Sequence, residues 1–417
     1  MTIKFLSSDI LTKEPVEIAI DSTTDNEQQQ KYQALLQKSF NQILDAENIL
    51  ILAGSGTSLT FNTDEEGHVA PSMLDLWNAC REMNETIFDD IRNYTEYDKF
   101  ASTWQDENGN TQIDCNIELL LSRCDTFLSL KSQLSERRLK RLEKFVADAK
   151  NKILEKTDFT EDIKYPSSWQ HHDKLLRVFG KRQTKQKRLK IFTTNYDLAF
   201  ETSASNIGMT VIDGFEYSRP YRFNPSWFHY DIVHRSQTTD KSSSYLPNVF
   251  HLYKIHGSVD WIRTKQGIQK RRTNKQEGEP VIIYPSSNKY QTSYESPYLD
   301  MMSSLLNSIQ QPKTAIICLG FGFNDKHINN AITMALRTNP ELLLMVGTRS
   351  LFDKNGSFNK EIRKLFMDAV KAGDSRISLI DSSFADFVNL LPKRNKETPE
   401  ENIFKVFQQM AMGGSHD

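Results

Sequence analysis

The sequence predicts an α/β protein, a Rossmann-like, doubly wound and mostly parallel sheet that carries a helical insertion and no zinc ribbon. Three observations support this. Short apolar runs recur, several ending in glycine or polar residues, as ILILAGSGTS (49–58), LKIFTTNYD (189–197) and NVFHLYKIHG (248–257) do. Further runs follow as MTVID (209–213), VIIYP (281–285), AIICLG (315–320), ELLLMVG (341–347) and ISLID (377–381). Amphipathic patterns such as NDKHINNAITMALR and NKEIRKLFMDAVKAG separate the later runs. Strands alternating with helices are the signature of a parallel sheet.

Taken from the start, residues 1–46 read as a polar N-terminal extension, with a short strand in EPVEIAIDS and a helix in EQQQKYQALLQKSFNQILDA. Tyr32, Leu35, Leu36, Phe40, Ile43 and Leu44 recur at helical spacing there. Residues 47–70 and 185–390 carry the sheet. Between them, 71–184 is poor in glycine and strand signals and rich in segments such as IELLLSRCDTFLSL and LKRLEKFVADAKNKILEK, so it reads as a helical insertion. Its stripe of Leu139, Leu142, Phe145, Val146 and Leu154 packs by default within the domain rather than against a second subunit. SQTTDKSSSY (236–245) and TKQGIQKRRTNKQEGE (264–279) read as exposed loops, and 391–417 as a C-terminal tail.

Composition narrows the function classes. The 417 residues suffice for two or three folding units, and 38% hydrophobic with 25% charged residues is globular. A formal charge of −2 creates no global field toward nucleic acid or anionic lipid. Cysteines 80, 115, 124 and 318 form no CxxC pair, the first residues lack the pattern of a signal peptide, and no apolar run approaches the ~18–20 residues of a membrane span. A soluble, cytoplasmic protein without a metal site is expected. Local basic clusters, KRQTKQKRLK (181–190) and KRR (270–272), suit phosphate contacts but more often serve as solvated flanks.

Four strings carry candidate chemistry. Gly54-Ser55-Gly56-Thr57-Ser58 follows a strand, and its glycines allow backbone N–H groups to approach an anion such as a diphosphate. The string departs from GxGxxG, and a tight strand–helix turn explains it equally well. In TTNYD, Thr194, Asn195 and Asp197 suit a ribose, a carboxamide or an oriented water, with capping of the next helix as the plain alternative. His256 ends an apolar run beside a glycine, where a histidine can act as a base near neutral pH. Of the other histidines, 229, 234 and 251 read as structural or exposed, and His256 without further context reads the same way. Gly320, Phe321 and Gly322 end a strand with room for a ribose or phosphate, while Asn324 and Asp325 can cap the following helix.

In this order, ILILAGSGTS, TTNYD, KIHGSVDW, GFGFND and ISLIDSSFADF resemble the sirtuin-like family over roughly 47–70 and 185–390. The resemblance implies NAD as ligand. It places Gly54, Ser55, Gly56, Thr57 and Ser58 on the diphosphate loop, Thr194, Asn195 and Asp197 at the nicotinamide ribose, and His256 as the catalytic histidine. Gly320, Phe321, Gly322 and Asn324 fall at a second ribose contact and Asp381 near the adenine. Protein-deacylating members carry a four-cysteine zinc ribbon after the His-Gly string, whereas 258–314 here holds no cysteine. The helical insertion is instead similar to bacterial antiphage effectors that hydrolyse NAD, some assembled with a HerA-type ATPase. The resemblance therefore implies an NAD hydrolase with Asn195 and His256 catalytic, working as a homo-oligomer and with that ATPase. An NAD or ADP-ribose sensor, a deacylase and, less favoured, a DNA-binding or nuclease component remain open.

Overall fold

A computed structural model describes residues 2–19, 27–105, 110–129, 135–182, 186–233, 245–271, 278–282, 296–353 and 356–392. Most of the 236–245 loop reading, residues 272–277 of the 264–279 one, the end of VIIYP, His234 and nearly all of the tail therefore lie outside the described residues.

The strands are β1 (Thr2–Ser7), β2 (Val16–Ala19), β3 (Asn48–Ala53), β4 (Thr103–Gln105), β5 (Thr111–Ile113), β6 (Lys190–Thr193) and β7 (Thr210–Ile212). They continue as β8 (Val249–Lys254), β9 (Gly257–Thr264), β10 (Gly267–Lys270), β11 (Glu279–Ile282), β12 (Thr314–Leu319), β13 (Leu343–Thr348) and β14 (Ile377–Asp381). Nine of them form one sheet in the order β2-β1-β14-β13-β12-β3-β6-β8-β7, seven of them parallel. From β3 the chain moves outward to β6 and the edge strand β7, steps back to β8 between them, then crosses over to place β12, β13 and β14 on the other side. That reversal creates a switch point between β3 and β12, the crevice where doubly wound sheets hold ligands.

The fully buried runs of β3, β8 and β12 follow from the helices covering both faces. Leu50, Leu52, Phe192, Ile316, Cys318, Leu344 and Val346 meet Met301 and Leu305 of Tyr298–Ile309, Ile328 and Ile332 of Lys326–Thr338, and Phe366 of Lys360–Lys371. The alternate residues Ile49, Ile51, Ile191, Leu252, Ile317 and Met345 meet Phe40 of Glu27–Asp45, Leu176 of Gln170–Gly180, Phe200 of Ala199–Asn206 and Phe387 of Phe384–Leu390. Period-two alternation thus divides one sheet between two cores.

Three details depart from expectation. The described part of TKQGIQKRRTNKQEGE (264–279) is not an exposed loop, since Gly267–Lys270 is β10, paired antiparallel with β9 and burying Ile268 and Gln269. TIKFLS, read as polar extension, is β1, pairing antiparallel with β14 and β2 because Ile3, Phe5 and Leu6 are buried. NVFHLYKIHG is not one strand: β8 stops at Lys254, Ile255 and His256 turn, and β9 starts a separate three-stranded sheet in the order β10-β9-β11. Gly257 enables the turn, with φ +90° and an added Cβ that would strike the Val281 carbonyl oxygen.

Between β3 and β6 lie the helices Met73–Met83, Glu85–Tyr94, Ile117–Ser129, Glu136–Thr157 and Gln170–Gly180. The first four share a core of Trp77, Phe88, Leu120, Leu121, Leu142, Phe145 and Leu154, and this core also takes in Tyr196, Val259 and Ile282. The helices consequently pack on the TTNYD loop and the β9–β11 sheet. Cys80 and Cys124 lie buried in this core and Cys318 inside β12.

Candidate functional site

The carboxyl ends of β3, β6, β8 and β12 bring the four strings together. At the switch point the two glycine turns touch backbone to backbone. Gly54 N–H donates to Leu319 O at 2.9 Å and Gly56 N–H to Gly320 O at 3.0 Å. A Cβ on Gly54 would lie 2.7 Å from Gly320 O, and one on Gly56 would lie 2.6 Å from Gly320 Cα. Gly320 itself has φ +55°. The glycines are thus required by the mutual approach of β3 and β12, which favours the tight turn over an incoming anion as the reason for this string. Thr57 N–H is also used internally, donating to Gly54 O at 3.0 Å.

Asn195 ties β6 to this turn. Its Nδ2 donates to Gly54 O at 3.0 Å, Thr57 Oγ1 at 3.1 Å and Ser58 Oγ at 2.7 Å. Ser58 Oγ in turn donates to Asp197 Oδ2 at 2.6 Å, while Asp197 Oδ1 accepts from Ala199 N–H at 2.9 Å. Asp197 therefore combines a role at the next helix with support for the glycine turn. An uncharged amide can give both protons to these acceptors, which neither an aspartate nor a leucine could do.

Lys254, at the end of β8 and fully buried, fixes the same loop from below. Its Nζ donates to the Tyr196 carbonyl at 3.3 Å and to that of Asp197, and pairs with Glu201 at 3.2 Å. Burial pushes the Glu201 carboxyl up, and Lys254 opposes that shift. Neither residue stands out as a site candidate in the sequence, although a lysine ending an apolar strand signals a buried partner.

His256 does not stand alone. Its Nε2 lies 3.2 Å from Asp325 Oδ2, and both side chains are buried, at 5% and 4% exposure. Asp325 Oδ1 simultaneously accepts from His327 N–H at 2.8 Å and Ile328 N–H at 3.2 Å. The helix cap expected at Asp325 is present, and its second oxygen forms the histidine partner that the sequence did not reveal. Burial disfavours the charged His256, but the bond to Asp325 and the charges of Glu118 and Asp325 outweigh it and raise its pKa above the usual 6.5. For Asp325, burial is likewise overcome by His256 and the two backbone donors, which hold the carboxyl below 3.8. The pair is therefore biased toward imidazolium and carboxylate.

The remaining candidates divide by exposure. Ser55 and Asn324 are exposed, and Gly56, Thr194, Asn195, Gly320 and Gly322 half-buried, so these are the accessible candidates just past the strands' carboxyl ends. Thr57, Ser58, Asp197 and Phe321 are buried supports. The Phe321 ring packs edge-on against Phe323 at 5.0 Å, inside the core. Phe323 adopts φ +56°, strained for a bulky residue, and is held by burial and by Asn329 Nδ2 donating to its carbonyl at 2.7 Å. Asp381 ends β14, where Oδ2 accepts from Phe352 N–H at 3.3 Å. Thr348 of β13 is its neighbour in register.

Among the described residues of the basic segment 181–190, Arg182 donates to the Ala46 and Glu47 carbonyls, Arg188 pairs with Asp231 at 2.9 Å, and Lys190 donates to Ser308 at 2.8 Å. No group of three or more potential metal ligands occurs among the described residues. No helix among them is long and apolar enough to cross a membrane.

Residues 189–370 match the SIR2-like domain family. No curated protein matches the chain. Among the solved structures similar to this chain are two mutants of a Sir2 homologue in complex with ADP-ribose, each at 10% identity over 81% of this chain and 96% of the other. Their TM-scores are 0.34 and 0.36.

Proposed function

We propose that the crevice between β3 and β12 takes NAD and that the protein hydrolyses it to nicotinamide and ADP-ribose. The observation that carries this reading is the convergence of four distant strings on one crevice, with Asn195 wired to the glycine turn and His256 wired to Asp325. The SIR2-like match over residues 189–370 supports the ligand class, since it spans three of the four strings.

Gly54, Gly56 and Thr57 have already committed their backbone N–H groups. The exposed Ser55 and the half-buried Gly322, with the side-chain hydroxyl of Thr194, whose own N–H donates to Ala53 O at 3.1 Å, are therefore better candidates for diphosphate and ribose contact than the glycine scaffold. Asn195 spends its amide protons on the turn, which leaves Oδ1 to receive a ribose hydroxyl or a water proton. In the hydrolysis a water oxygen bonds to the ribose carbon as the bond to nicotinamide breaks, and the bonding pair leaves with a neutral nicotinamide. Holding the ribose and one water in line is the main demand on the protein. His256 in its neutral form takes the water proton. Because its pKa is raised, the rate is expected to climb with pH to values above 6.5 before levelling off.

The wider role we propose is that of an NAD-depleting effector in bacterial antiphage defence, acting as a homo-oligomer with a HerA-type ATPase. It rests on the family resemblance. A non-hydrolytic NAD or ADP-ribose sensor is the second reading, favoured by the burial of His256. Incubation with NAD, alone and with the ATPase, followed by chromatography of nicotinamide and ADP-ribose, separates the two. Product formed without acylated peptide and lost in folded Asn195→Ala and His256→Ala supports the hydrolase. Intact NAD with measurable binding supports the sensor, and turnover only with acylated peptide supports a deacylase.

A further inference from the structure

The helical insertion sends one carboxylate to the site. Helix Ile117–Ser129 buries Ile117, Leu120, Leu121 and Cys124 in the insertion core, and the half-buried Glu118 lies beside Ile117 at the junction with the TTNYD loop. Glu118 Oε1 accepts the Tyr196 hydroxyl at 2.8 Å. Burial pushes this carboxyl up while the charge of His256 and the Tyr196 hydroxyl pull it down, and Asp325 repels it. A glutamine or an apolar residue would fill such a junction without the desolvation cost of a carboxylate.

Among the described residues, Asp325 acts on His256 from the cap of helix Lys326–Thr338 and Glu118 from the insertion. Glu118 is tied to the chain beside His256 through Tyr196, whose carbonyl accepts Val259 N–H at 2.9 Å just past the histidine, while Tyr298 lies near Asp325. One of the two carboxylates thus belongs to the sheet side of the site and the other to the insertion.

We propose that Glu118 is a positioning residue that completes the electrostatic surroundings of His256 across the junction, so that the site reaches its working state only with the helical insertion docked on the TTNYD loop. A partner or ligand that shifts the insertion would withdraw Glu118 and alter proton handling at His256 without touching the sheet. This inference rests on His256 as the proton-handling group of the proposed reaction.

The test follows the His256 imidazole by NMR across a pH series in full-length protein with labelled histidine, assigned through His256→Asn. Glu118→Gln keeps shape and removes the charge, and it is expected to move the His256 midpoint downward. Tyr196→Phe, which frees Glu118 and makes it harder to ionise, is expected to move it in the same direction by less. Where NAD turnover is measurable, its pH limb should shift down with the midpoint while KM changes less than twofold. An unmoved midpoint in both variants, with or without a loss of thermal stability, reduces Glu118 to a structural tie and overturns the proposal. Wild-type protein that leaves NAD intact while the midpoint still moves would reject the hydrolase reading alone.

Discussion

Gly320→Ala isolates the tight contact on which the crevice depends. Two costs combine at this position. An alanine at φ +55° sits in the left-handed region, at roughly 1–2 kcal/mol. Its Cβ would also lie 2.6 Å from Gly56 Cα and Thr57 N, backbone atoms that cannot rotate away, and such overpacking costs about 1–3 kcal/mol. The sum is ~2–5 kcal/mol. Two other glycines separate these contributions. Gly67 has φ +76° with nothing within 4 Å of its Cβ position, so Gly67→Ala carries the conformational cost alone. Gly56→Ala meets Gly320 Cα at 2.6 Å without a left-handed φ and carries the contact cost alone. Thermal unfolding of the three variants should rank Gly320→Ala as the most destabilised by several degrees, with the Gly56→Ala and Gly320→Ala effects non-additive in the double variant. If Gly320→Ala loses no more stability than Gly67→Ala, the backbone contact between β3 and β12 is not a tight one and the argument from glycine packing fails.

Other expectations follow from the same contacts. Asn195→Ala removes one donor group from three acceptors and should cost ~1–3 kcal/mol in chemical denaturation; Asn195→Asp, which faces Gly54 O and Ser58 with acceptors only, should cost more. Asp325→Asn retains the helix cap but removes the carboxylate from His256. Because His256 is raised from 6.5, its contribution is complete below that pH and fades as pH rises through the folded value; because Asp325 is lowered from 3.8, its own is complete above that pH and fades as pH falls. The stability difference between wild type and Asp325→Asn, read from denaturant midpoints, should therefore be largest between pH 3.8 and 6.5 and shrink on either side. His172 stacks on Phe61 at 4.7 Å with both ring nitrogens unbonded, and burial lowers its pKa to about 3. The unfolded chain takes up that proton below pH 6.5, so acid weakens the fold there, and His172→Phe should raise Tm at pH 5 relative to wild type.

Legibility differed between fold and site for physical reasons. The central strands were readable because burial on both faces makes them unbroken apolar runs, as in NILILA and TAIICL. TIKFLS was not, because at an antiparallel position beside the sheet's end its exposed Thr2 and Lys4 break the apolar run. At the site, the strings themselves stood out through glycine, asparagine and histidine, but their wiring did not. Asp325 was visible as a cap, while its second oxygen meets a histidine 69 positions away; Glu118 reaches Tyr196 across 78. Such pairs depend on how the insertion and the sheet pack together, which local patterning does not encode. The glycines illustrate the converse, since their presence was obvious but the reason for it, turn against turn, required both strands in place.

The route of the chain through the sheet also sets an order of events during synthesis. β3 is made well before its neighbour across the crevice, β12, which begins only at Thr314, and β1, though paired with β2, gains its second partner only with β14 at Ile377–Asp381. Pairings of such long sequence separation close late and slowly. On the ribosome, then, the nascent chain can form its insertion helices long before it owns a crevice, and any activity that resides there arises only after β12 has been made.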